Sequence, residues 1–168
     1  MMSEQKTPKS YILDDLIPGY VQEINAGTGY AGMSGVQNFA AFLNDKMLVI
    51  QAIRKGLPSR LFEKIKQVLP FTDVDWSSFL EVSAKTLQRY RQNPEKRFKP
   101  IHSEKIFELA EVSYFGREVF GSDQKFNHWL RTPSHALRGL QPIELLRDSY
   151  GKELVMDELN RIEHGVFA

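Results

Sequence analysis

Thr72-Asp73-Val74-Asp75-Trp76-Ser77-Ser78-Phe79-Leu80-Glu81-Val82-Ser83-Ala84-Lys85-Thr86-Leu87-Gln88-Arg89-Tyr90-Arg91-Gln92 is the stretch whose reading decides the fold. Thr72 and Ser83 are short hydroxyl residues suited to accept from backbone N–H groups at a helix start. Glu81 to Ser83 between them is a tight turn, so the stretch reads as helix, turn, helix. Those are the dimensions of a DNA-reading helix-turn-helix. Trp76, Phe79, Val82 and Leu87 can pack the two helices together. That leaves Ser83, Lys85, Thr86, Gln88, Arg89 and Arg91 as the expected DNA contacts. Arginine forms paired hydrogen bonds to guanine and glutamine to adenine, while hydroxyls and lysine hold phosphates. The same residues also suit a solvated helix in an ordinary bundle, and spacing alone does not separate the two readings. Local charge favours DNA: Ser83 to Lys105 carries seven cations against two anions, a net +5 in a chain of +1 overall.

Working outward, the pattern stays helical in both directions. Upstream, Phe39, Phe42, Leu43, Met47, Ile50 and Ile53 recur at three- and four-residue steps, predicting one long helix ended by Gly56. Pro58 opens another that carries Leu61, Phe62, Ile65, Val68 and Leu69 and stops before Pro70. Downstream, a basic loop from Asn93 to Pro100 leads into a long helix through Ile106, Leu109, Val112 and Phe120, closed by Gly121. Short helices follow, the first capped by Asp123, the next opened by Pro142, the last marked by Leu154, Val155, Leu159 and Ile162. No strand alternation of any length occurs, so the class is all-α. The expected organisation is an irregular N-terminal arm over 1–37, a helix-turn-helix and dimerisation region over 38–121, and a C-terminal domain over 122–168. In the arm only a short apolar stretch around Tyr11 to Ile17 breaks the irregularity, and Pro18-Gly19 stops it.

Composition narrows the chemistry. With 168 residues, 42% of them hydrophobic, the chain can build one or two small cores. It contains no cysteine, which excludes disulfides, thiolate nucleophiles and cysteine-ligated metals. His102, His128, His135 and His164 show no paired ligand spacing, and no cofactor or metal is expected. Gly27-Thr28-Gly29-Tyr30-Ala31-Gly32 matches a dinucleotide-binding glycine pattern, but polar residues precede it and helix follows it, so it reads as a loop. Met1 to Lys9 lacks the apolar core of a signal peptide, and no stretch reaches the roughly 20 apolar residues of a bilayer span. A cytoplasmic protein is expected.

The other end of the chain has the opposite charge: Gly139 to Ala168 holds three cations against six anions, a net −3. A basic middle and an acidic end point to two different partners. Beyond a helix stop at Gly165, Val166 and Phe167 are expected at an exposed chain end, where they would bury area by folding back or by entering a partner.

Several stretches in order make the sequence recognisable: Arg54-Lys55-Gly56-Leu57-Pro58; Val82 to Arg89; Phe120-Gly121; Trp129-Leu130-Arg131-Thr132-Pro133-Ser134-His135-Ala136-Leu137; then Gly139, Pro142, Leu145-Leu146, Gly151 and Arg161 to Ala168. From about Leu43 onward the chain resembles the Xre/MbcA/ParS family of antitoxins. The resemblance implies a helix-turn-helix that autoregulates its operon; a homodimer whose two-fold symmetry matches an inverted repeat in the operator DNA is expected from the basic helix-turn-helix stretch. The resemblance also implies a C-terminal domain that blocks a RES-type toxin, an enzyme that destroys NAD. The NAD chemistry belongs to that partner, and this chain is not expected to be an enzyme. The last helix and tail are then expected to meet the toxin through Arg161, Glu163, His164, Val166, Phe167 and Ala168. Two positions depart from the family pattern: Glu81 replaces the usual turn glycine, and Arg138-Gly139-Leu140 replaces a glycine pair. Glutamate disfavours positive φ and sits close to where phosphates would lie. The alternative function is a stand-alone helix-turn-helix regulator with a ligand-sensing C-terminal domain.

Overall fold

The computed structural model describes residues 10–26 and 35–166. Within them lie α1 (Ser10–Asp14), α2 (Ile17–Ala26), α3 (Phe39–Asn44), α4 (Lys46–Lys55), α5 (Ser59–Val68), α6 (Asp73–Leu80) and α7 (Ala84–Arg91). They continue with α8 (Pro100–Phe120), α9 (Asp123–Leu130), a 3-10 turn (His135–Leu137), α10 (Pro142–Leu145) and α11 (Ser149–Glu163). Among the described residues there is no strand, only an isolated bridge between Pro58 and Arg97, and the class is all-α as the periodicity requires.

The chain divides into two units that alternate along the sequence. The first comprises the described part of Met1–Leu69 with Lys85–Phe107; the second comprises Pro70–Ala84 with the described part of Glu108–Ala168. The first unit is built on Phe39, Phe42, Phe62, Phe98 and Phe107, all nearly fully buried. Phe39 and Phe42 stack with centroids 5.8 Å apart, and Phe42 meets Phe107 at 5.4 Å. The second unit centres on Trp76 and Phe126, with Phe71 edge-on to both Trp76 and Phe79 at 5.5 and 5.1 Å.

Two expectations need correction. Residues 10–26 are helical, not irregular: Leu13, Ile17 and Ile24 are fully buried, and that burial stabilises a segment whose composition offers little propensity. Pro18 and Gly19 lie in the first turn of α2, where a missing N–H costs nothing, so they open the helix they were expected to stop. Phe39 to Lys55 is two helices instead of one. Asp45 ends α3 with its backbone N–H on the Phe42 carbonyl, and its side chain caps α4 by accepting from the Leu48 N–H at 3.1 Å. The Gly27–Gly32 motif lies outside the described residues, as do Phe167 and Ala168.

Most other helix ends fall where the sequence puts them. Thr72 caps α6 in a reciprocal capping box with Asp75, Gly56 ends α4, and Gly121 follows α8 with φ +65°. For α9 the cap is Ser122, one residue before the expected Asp123.

Candidate functional site

In the helix-turn-helix, α6 ends on Glu81, which adopts the left-handed conformation at φ 53°, ψ 41°. The Val82 N–H donates back to the Ser77 carbonyl at 3.1 Å, and the Ser77 hydroxyl donates to the Val82 carbonyl at 2.6 Å. These bonds hold the turn in the shape a glycine would take freely. A non-glycine residue there costs roughly 1 kcal/mol. The turn is therefore preserved and strained.

On α7, Leu87 and Tyr90 are buried while Lys85, Gln88, Arg89 and Arg91 are exposed and Thr86 is half-buried. Ser83, in the second unit, is exposed as well. The Arg89 guanidinium donates to the Thr86 hydroxyl at 3.2 Å, and Arg91 pairs with Glu63 of α5 at 3.4 Å. Arg91 would have to exchange that carboxylate for a phosphate to touch DNA. Tyr90, absent from the expected packing set, anchors the helix. Its ring stacks on Phe98 with centroids 4.0 Å apart, and its carbonyl accepts from the buried Ser59 hydroxyl at 2.7 Å. The signal for it was its position three residues after Leu87, on the same helix face.

In the second unit, α11 packs on α10 through Gly151. A Cβ there would sit 1.8 Å from the Leu145 carbonyl oxygen, so only glycine permits this approach. Val155 and Leu159 face inward, leaving Leu154 52% exposed, with Asp157 and Arg161 on the same side of the helix. Together with Leu137, Leu140 and Leu145 they line an open groove of about 790 Å³. Arg161 sits at this groove with its guanidinium 2.6 Å from Glu158. The apolar members of the groove come from three separate segments, which is why the sequence did not reveal them.

The end of α11 has a specific stop. Gly165 takes φ +68°, its N–H reaches the Ile162 carbonyl at 3.1 Å, and the Val166 N–H reaches the Arg161 carbonyl at 2.9 Å. This pair of bonds is a Schellman motif, and it explains why position 165 is a glycine, the residue that takes the left-handed conformation without strain. His164 Nδ1 lies 2.7 Å from the Asn160 carbonyl. Glu163, His164 and Val166 are exposed, Val166 to 57%. Among the described residues of the expected partner-facing set, Arg161 alone lines the groove; Glu163, His164 and Val166 follow it in the chain.

Arg131 serves packing. It donates to Asp75 at 2.7 Å, to the Pro70 carbonyl at 3.3 Å and to Asn127 at 3.1 Å, tying α9 to the start of α6. Burial pushes the Asp75 carboxyl up, but the hydrogen bonds from Arg131 and Thr72 outweigh it and hold the group below its ordinary range.

Comparison with known proteins bears on both regions. Residues 48–111 match the Antitoxin Xre-like helix-turn-helix domain, and residues 116–165 match the Antitoxin Xre/MbcA/ParS C-terminal toxin-binding domain. The protein named Antitoxin Xre from Yersinia enterocolitica (serotype O:8 / biotype 1B) is 34% identical over 122 residues, covering 72% of this chain and 82% of that one.

Proposed function

Because the chain belongs to the Xre antitoxin family, with a helix-turn-helix and a toxin-binding domain, we propose that it neutralises a RES-type, NAD-degrading toxin and represses its own operon. The observation that carries the first half is the groove of Leu137, Leu140, Leu145 and Leu154 inside the matched toxin-binding stretch. An open apolar groove of this kind on a small domain suits a protein partner. The groove accepts an apolar segment of the toxin, while Arg161, Glu163, His164, Val166, Phe167 and Ala168 cover the entrance to the toxin's active site. Inhibition is stoichiometric occlusion without catalysis, so toxin activity follows the concentration of free toxin.

Repression uses α7 in the major groove, with Arg89 and Gln88 toward bases and Ser83, Lys85, Thr86 and Arg91 toward phosphates. Two protomers then bind an inverted repeat as a homodimer. No helix among the described residues is long and apolar enough to cross a membrane, and the proposed setting is the cytoplasm beside the toxin.

The test is co-expression with a RES toxin while the cellular NAD pool is measured. Preserved NAD, together with a complex that co-purifies, supports the reading. NAD collapse despite abundant soluble antitoxin contradicts it.

A further inference from the structure

The helices α1 to α3 precede both matched stretches, yet α2 reaches the support of the recognition helix. Glu23 of α2 takes two arginines at once: Arg60 of α5 at 2.5 Å and Arg97 of the loop after α7. The other arm of the Arg97 guanidinium donates to the Gly56 carbonyl at 2.8 Å, so its planar fork is fixed between two elements. Arg60 also meets Glu95 of the same loop at 3.1 Å.

That loop is fastened to the start of α5 by backbone bonds. The Ser59 N–H donates to the Lys96 carbonyl at 2.8 Å, the Arg60 N–H to Pro94 at 2.9 Å, and the Phe98 N–H to Leu57 at 2.9 Å. The next residue after Arg97 is Phe98, whose ring stacks on Tyr90 in α7. A continuous set of contacts therefore runs from Glu23 through Arg97 and Phe98 to the C-terminal end of the recognition helix. Its first link is supplied by the N-terminal segment. Burial pushes the Glu23 carboxyl up, but hydrogen bonds and charge from Arg97 and Arg60 outweigh it and keep the group ionised below its ordinary range.

We propose that Glu23 is a positioning residue for DNA recognition: it clamps Arg97 and Arg60, which fixes α7 for operator readout and keeps both guanidinium groups from binding phosphate indiscriminately. This rests on the reading of α7 as the DNA-contacting helix. Two consequences follow. Releasing the clamp blurs the discrimination between operator and other DNA, and it adds cations to the non-specific mode.

The experiment compares the full-length wild type with Glu23→Gln, an isosteric change at a partly exposed site, and with Arg97→Lys, which keeps the charge and loses the fork. Affinities are measured for a duplex carrying the region upstream of the protein's own gene and for a scrambled duplex of equal length, between 50 and 200 mM salt. The expected result for both variants is a preference for the upstream duplex lowered about three- to tenfold. For Glu23→Gln the log–log salt slope on scrambled DNA is expected to steepen by about one. Protection of cells from toxin stays at the wild-type level, which a general loss of folding would not allow. A wild-type protein that prefers the upstream duplex, with variants showing the same preference and slope, overturns the clamp alone. A wild-type protein without any preference overturns the DNA reading and the clamp with it.

Discussion

Helix α7 and the groove on α11 are built on opposite principles. Helix α7 buries Leu87 and Tyr90 and presents charged and polar side chains, two of them held by neighbours: Arg91 by Glu63, Arg89 by Thr86. The groove presents leucines, with charge confined to Asp157, Arg138 and Arg161 among its lining residues. A charged helix gives affinity that follows salt, because each neutralised phosphate releases a counterion. An apolar groove gives affinity that depends on shape and exclusion of water. One chain can thus hold two partners whose binding responds to different conditions.

The largest effect that breaks this contrast is a charge in the groove. Leu154→Lys is expected to cost about 2–4 kcal/mol of toxin affinity, since an ammonium would have to be desolvated at the interface. Titration calorimetry against the toxin, with operator affinity measured in parallel, checks that only the first changes. On the other side, Arg89→Ala is expected to weaken operator binding by about 1–3 kcal/mol if it reads a base. An unchanged operator affinity removes Arg89 from the readout.

Smaller effects sharpen the contrast by testing what supports each surface. Asp75→Asn weakens the capping box and the ion pair to Arg131, for an expected loss of about 1 kcal/mol in urea unfolding at pH 7. Because the folded protein holds Asp75 below its ordinary pKa, its contribution is complete above about pH 4 and is lost as pH falls through the lowered value. The wild type is therefore expected to lose more stability than Asp75→Asn over that acid range. The smallest change is Glu81→Gly, expected to add roughly 0.5–1 kcal/mol of stability by relieving the left-handed residue. It also removes a negative charge from the turn before α7, so operator affinity is expected to rise slightly at low salt.

Local chemistry was legible in the sequence and long-range closure was not. Thr72, Gly56, Gly121 and Gly165 mark helix ends through their own side chains or lack of one, and the structure uses them so. Glu81 could be identified as the odd residue of the turn because the family resemblance puts a glycine there, and the structure gives it the left-handed φ a glycine would take. The N-terminal helices were missed because their stability comes from burying Leu13, Ile17 and Ile24, not from any local signal. Asp45 was missed because the apolar spacing continues unbroken across it while its side chain interrupts the backbone. The clamp at Glu23 joins residues 74 positions apart, beyond any window of periodicity. The groove escaped for the same reason: Leu140, Leu145 and Leu154 look like ordinary core positions until Gly151 lets α11 approach α10.

The most direct measurement is growth of cells carrying the toxin together with Leu154→Lys, at antitoxin levels matched to the wild type. This variant, still folded and binding DNA, is expected to fail to protect. Full protection by it would contradict the placement of toxin neutralisation in the groove.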